Sequence, residues 1–236
     1  MKLAVFDLDG TLTATNAVDD DCFVRALRIV FDIDLINTNW TAYSHVTDAG
    51  VMAVAFGQNH GRDPEPAEIS SFIECFVALL NEECSIRPDL FGEIPGAVAF
   101  LAAIRHHPEW RAAIATGGWE RSARFKMTAA GINADGIAAS FAEAGPAREM
   151  IVEAAISKAG AKYGTDFQKI VLVGDAIWDV RTARQLGLPF VGVGSGEEAA
   201  LLRNAGANAV VENFLNYEYC IECFEGAEIP KPLHQR

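Results

Sequence analysis

Four short apolar runs set the rhythm of the chain: LAVFD at 3–7, RAAIAT at 111–116, KIVLVGD at 169–175 and PFVGVGSG at 189–196. They are too uniformly apolar to alternate, as expected of strands covered on both faces. Between them the apolar positions switch to helical spacing. Ala97 to Ile104 precedes the second run, Ala147 to Ala159 the third, and Asp179 to Leu186, closed by Gly187, the fourth. Strands alternating with helices of this length predict βαβ units and an α/β fold with a parallel sheet covered by helices.

From residue 16 to about residue 92 that rhythm stops. DDDCFVRALRIVFDI predicts an amphipathic helix with an acidic start, suited to the positive end of a helix dipole. AGVMAVAFGQNHG predicts a second, stopped by glycine, and PAEISSFIECFVALLNEEC a third that opens on proline and acid. The boundaries expected from this are an α/β core at 1–15 and 93–236 with a helical insert at 16–92. Its connections fall at Thr13–Ala17 and Phe91–Gly96.

Composition narrows the partners without choosing one. A net charge of −13 argues against a broad nucleic-acid or anionic-membrane surface, because both demand excess Lys and Arg. A small phosphate ligand stays open, since one local cation and one metal can reverse the sign inside a pocket. No stretch approaches the length that spans a bilayer, and MKLAVFDLDG turns acidic too soon for a signal peptide. Five scattered cysteines suit reduced thiols, so a cytoplasmic location is expected. Cys220 and Cys223 form a lone C-x-x-C with no second cluster nearby, and packing in a C-terminal helix is the expected role.

Three of the four apolar runs end in reactive groups. The first ends in Asp7, with Asp9 two residues on; the second in Thr116-Gly117-Gly118; the third in Gly174-Asp175, with Asp179 beyond. In an open parallel sheet ligands bind beyond the carboxyl ends of the strands. The kit suits phosphoryl transfer. Asp7 can attack phosphorus, and Asp9, expected on the same side at i+2, can give and take the proton. Mg²⁺ needs a few hard oxygens, which Asp7, Asp9 and Asp175 can supply, and it would relieve the repulsion between them. Thr116 and the N–H groups after it can hold phosphate oxygens.

DLDGT at 7–11, the strand ending in Thr116, and GDAIWD at 174–179 together resemble the haloacid dehalogenase superfamily of hydrolases. The resemblance covers the α/β parts at both ends, and the insert falls where that family places a helical cap. It implies a Rossmann-like core, Asp7 as nucleophile and Asp9 as acid/base. It also implies Mg²⁺ held by the Asp7 carboxylate, the Asp9 carbonyl and the Asp175 carboxylate, with Asp179 in support. One element departs from the pattern: the usual lysine, often in Lys-Pro, is absent. Arg148, at the start of the helix before the third core strand, is preferred as its replacement in catalysis and phosphate binding. Lys158, about three turns further on, is the competitor.

An acid at position 9 argues against dehalogenation, which has no oxygen leaving group to protonate. The lack of any lysine between Lys2 and Lys126 argues against phosphonatase chemistry. The expected activity is therefore Mg²⁺-dependent hydrolysis of a small phosphorylated metabolite through an aspartyl-phosphate. A sugar phosphomutase is the alternative enzyme, and a non-catalytic binding module the alternative class. Within the insert, Trp40, Tyr43, His45, Thr47 and Asp48 mix aromatic and polar groups where a plain helix would show a cleaner stripe. Trp40, His45, Thr47 and Asp48 are the expected substrate contacts. The competing expectation is that Trp40 and Tyr43 are core and that Thr47-Asp48 caps the next helix. The arginines of the insert (Arg25, Arg28, Arg62 and Arg87) are few, which disfavours a substrate with several further phosphates.

Overall fold

The structure, a computed structural model, describes residues 1–231. The last five positions of the expected core, 232–236, lie outside the described residues. The strands are β1 (Lys2–Phe6), β2 (Trp110–Ala115), β3 (Ala138–Ser140), β4 (Lys169–Gly174), β5 (Phe190–Val193) and β6 (Ala209–Val211). They form one sheet in the order β3-β2-β1-β4-β5-β6, and every pairing is parallel. The apolar runs are β1, β2, β4 and β5. The edge strands β3 and β6 were not anticipated, because three residues apiece carry too little pattern to declare a strand.

Three helices follow β1 within the insert: α1 (Asn16–Phe31), α2 (Asp48–His60) and α3 (Pro66–Ile86). Then follow α4 (Ala97–Ile104), α5 (Glu120–Ala129), α6 (Arg148–Tyr163), α7 (Ile177–Leu186), α8 (Gly196–Asn204) and α9 (Tyr217–Gly226). The central strand shows why its run does not alternate: Leu3, Ala4, Val5 and Phe6 are each 0% exposed. Leu3 and Val5 pack under α6, α7 and α8, while Ala4 and Phe6 pack under α4, α5 and α9. The Phe6 ring meets Phe100, Phe214 and Phe224 edge-on at 6.1, 6.0 and 6.0 Å. Burying such a ring is worth about 1.5–3 kcal/mol before the ring–ring term. Cys220 is wholly buried in this cluster, with Cys223 packed against it.

The inserted helices bury their own apolar faces against one another. Val18, Phe23, Phe31, Phe56, Phe72 and Phe76 form that cluster, joined by Trp119 from the turn after β2. The two passages into and out of the insert lie side by side. Ala14 N–H donates to the Gly92 carbonyl and Ile94 N–H to the Leu12 carbonyl, both at 2.9 Å.

Sheet register gathers the reactive ends. Phe6 lies opposite Ile114 on β2 and Val173 on β4, so Asp7, Thr116 and Asp175 emerge together beyond the carboxyl ends of three central strands. The order of the sheet reverses at β1, the position where such sheets bind ligands.

Candidate active site

β1 stops at Phe6, so strand alternation does not carry Asp9 to the side of Asp7. A tight loop does. The Leu12 and Thr13 N–H groups donate to the Leu8 carbonyl at 2.8 and 2.9 Å, and Gly10 N–H donates to the Thr13 carbonyl at 2.7 Å. Gly10 sits at φ +78°, and a Cβ there would lie 2.0 Å from Asp175 Oδ2. Only glycine lets this loop cross so close to the end of β4. Asp7 and Asp9 both line the pocket that results.

Carboxylate oxygens of Asp7, Asp175 and Asp179 lie within 4.8 Å of one another. Arg148, the first residue of α6, reaches in from the start of that helix. Its Nη2 donates to Asp7 Oδ1 at 2.9 Å and to Asp179 Oδ1 at 2.7 Å, and its Nη1 donates to the Val46 carbonyl at 3.0 Å. Lys158 lies elsewhere, donating to the Ala139 carbonyl. Among the described residues Asp175 accepts from neutral side-chain donors, the Thr11 hydroxyl and the Asn16 amide, each at 3.1 Å. Burial, followed by the charges of Asp179, Asp175 and Asp9, pushes the Asp7 carboxyl well above its ordinary range, although Arg148 opposes it. Burial and then Asp179 push Asp175 up to about 7. Among the described residues, three hard carboxylates share the charge of the Arg148 guanidinium and form a donor set with surplus negative charge. That set fits a hard divalent cation.

Asp9 has a cation of its own, which sequence reasoning missed. Lys126 on α5 is 0% exposed, and its Nζ donates to Asp9 Oδ2 at 2.6 Å and to Asp19 Oδ1 of α1 at 2.5 Å. The other Asp9 oxygen accepts from the Thr15 hydroxyl at 2.5 Å. Burial alone would lower the Lys126 ammonium, but Asp19, Asp9 and Asp48 outweigh it and the group stays charged. Helix α5, ERSARFKMTA, reads as polar, so the sequence shows no apolar stripe to mark its inner face. Ala123 and Met127, at i and i+4, mark its buried face, and Lys126 falls on that face.

The turn after β2 meets the insert directly. Thr116 Oγ1 accepts from Gly118 N–H at 3.0 Å. A Cβ on Gly117 would sit 2.8 Å from Arg148 Nη1, so the backbone approaches the guanidinium closely. Asp48 N–H donates to the Gly117 carbonyl at 2.8 Å, and its Oδ2 accepts from Trp119 N–H at 3.1 Å. Burial pushes the Asp48 carboxyl up to about 7. Thr47 caps α2, accepting from Gly50 N–H, and donates to the Pro146 carbonyl at 2.8 Å. The capping and substrate-facing expectations for Thr47 therefore coexist, since it also lines the pocket.

Trp40 lines the pocket too, with its indole N–H on Asp20 Oδ2 at 2.8 Å and its ring edge-on to Phe23. His45 is exposed and lines, with Tyr43 and Arg181, an adjoining cleft that shares Val46, Arg148 and Trp178 with the pocket. The chain bends through Tyr43–His45, and Val46, which follows, lines both the pocket and that cleft. Asp19, Asp20, Asn16 and Trp178 also line the pocket without having been singled out.

The chain is similar to known proteins over most of its length. The model of the haloacid dehalogenase-like hydrolases matches residues 1–187. The chain is 28% identical over 222 residues to the probable phosphatase IndB of Dickeya dadantii, covering 90% of each. Among solved structures it is similar to a hydrolase from Pseudomonas syringae, with TM-score 0.69, 21% identity and coverage of 94% and 98%. A putative beta-phosphoglucomutase from Bacteroides vulgatus matches with TM-score 0.64, 18% identity and coverage of 96% and 89%. The two structures share the fold. With the family model spanning most of the chain and the acidic site built at the strand ends that it covers, the protein belongs to the haloacid dehalogenase-like hydrolases.

Proposed function

We propose that the protein is a Mg²⁺-dependent phosphatase of small phosphomonoesters, working through an aspartyl-phosphate on Asp7. The observation that carries this reading is the pairing of Asp7 with Arg148 beside Asp175 and Asp179, with Asp9 in the same pocket on a separate cation. Arg148, the Thr116 hydroxyl and the Gly117 N–H seat the phosphate. The Asp7 carboxylate forms a bond to phosphorus as the ester oxygen leaves, and Asp9 gives that oxygen a proton. Asp9 then takes a proton from water, which breaks the Asp7–phosphorus bond and frees inorganic phosphate.

Asp7, Asp175 and the Asp9 carbonyl would hold the metal, with Asp179 in support and orienting Arg148. When bound, it supplies charge that keeps Asp7 ionised and polarises the phosphate. Helices α1–α3 serve as a cap that excludes water from the pocket. Asp19, Asp20 and Asp48 line the side of the pocket formed by the insert, while Arg25, Arg28, Arg62 and Arg87 are paired with acids elsewhere. Esters whose alcohol carries no further phosphate or carboxylate suit that lining.

Purified protein incubated with a metabolite panel should release phosphate with Mg²⁺ and stop in chelator. No release from any ester, with Mg²⁺ shown to bind, would refute the phosphatase reading. Isomerisation of a sugar phosphate without release would replace it with a mutase.

A further inference from the structure

Lys126 occupies a position that packing alone would give to an apolar side chain. Its neighbours on the inner face of α5, Ala123 and Met127, belong to the core cluster, and Lys126 is as closed to solvent as they are. Burying an ammonium costs several kcal/mol unless charged partners surround it, and apolar replacements of buried ion pairs are often neutral or stabilising. Both partners lie more than a hundred residues before it in sequence, Asp9 in the catalytic loop and Asp19 in the first turn of α1. A tie between α5 and α1 needs only Lys126 and Asp19. The bond to Asp9 goes beyond that tie. With Thr15 on Oδ1 and Lys126 on Oδ2, both oxygens of Asp9 are fixed from different directions.

We propose that Lys126 is a positioning residue for Asp9, clamping its carboxylate where it meets the ester oxygen, with Asp19 holding Lys126 in place. This rests on the reading of Asp9 as the acid/base. The clamp matters for the step in which the phosphorus–oxygen bond to the alcohol breaks and the proton of Asp9 passes to that oxygen. Displacements of about 1 Å in such a group cost on the order of 10²-fold in rate.

The test is a leaving-group series in the full-length protein with Mg²⁺, running from alkyl phosphates to p-nitrophenyl phosphate. Lys126→Met should lose on the order of 10²-fold in kcat/KM with alkyl esters, and several-fold at most with p-nitrophenyl phosphate, whose anion departs without a proton. Lys126→Arg, which keeps the charge, should recover much of the alkyl activity. Should Lys126→Met fail to fold, Asp19→Asn must show the same leaving-group bias in weaker form. Equal losses across the series, or no loss, would overturn the proposal and leave Lys126 as a structural tie. Asp9→Asn run in parallel separates the two readings. If it keeps alkyl turnover, the acid/base assignment itself has failed. If it loses that turnover while the Lys126 variants show no bias, only the clamp is wrong.

Discussion

Replacing Arg148 with methionine keeps most of the side-chain length and removes the cation that Asp7 and Asp179 share. Their side chains are only 9% and 3% exposed, so neither recovers its hydration when the guanidinium goes. Removing one partner of a buried ion pair costs about 3–5 kcal/mol. For a domain of this size that corresponds to a loss of roughly 6–20 °C in Tm. The loss should depend on pH, with a sign fixed by linkage. Burial already raises both carboxyls in the folded state, Arg148 opposes that rise, and its removal moves them further up. An unfolded Asp titrates near about 3.9, so between that pH and the raised folded value the folded variant binds more protons than the unfolded chain. Its stability therefore falls as pH rises through that window. Urea unfolding in chelator should show a small difference from the unaltered protein near pH 4 and most of the penalty near pH 7. A penalty below about 1 kcal/mol, or one equal at both pH values, would refute the view that Arg148 compensates buried charge.

Asp7→Asn should abolish phosphate release while leaving the circular dichroism spectrum unchanged, because it removes the nucleophile at nearly constant volume; near-normal turnover would exclude the covalent route. Gly10→Ala should weaken metal binding at least tenfold by calorimetry, since its Cβ would fall 2.0 Å from Asp175 Oδ2 at φ +78°, and unaltered affinity would remove Asp175 from the metal site. Asp48, pushed up to about 7 by burial, holds a proton when folded that the unfolded chain has lost above about pH 4. It therefore makes stability fall from pH 4 to 7, and Asp48→Asn should flatten that part of the stability profile in thermal scans; an unchanged slope would place Asp48 in water.

The sheet was legible where pattern and burial coincide. β1, β2, β4 and β5 are uniform apolar runs because both faces of the sheet are covered, and their ends announce Asp7, Thr116 and Asp175. The position of Arg148 at the start of α6 was also readable, since helix polarity alone separates it from Lys158. Helix α5 hid because its sequence looks solvated; its inner face is recognisable only once Ala123 and Met127 are seen against the core. Composition marked 36–50 as rich in functional groups, but only packing shows Trp40, Thr47 and Asp48 lining the pocket and His45 lining the cleft beside it.

The amino-acid sequence by itself determined the α/β alternation, the helical insert and the motifs at the strand ends, because periodicity and spacing are local properties of the chain. Tertiary structure decided which charges meet. That Asp7 shares Arg148 with Asp179, while Asp9 shares Lys126 with Asp19, depends on contacts across more than a hundred residues of chain for three of those four bonds. The energy of a buried ion pair depends on distances of a few ångströms and on the exclusion of water, and both exist only after the sheet, α5 and α1 have packed.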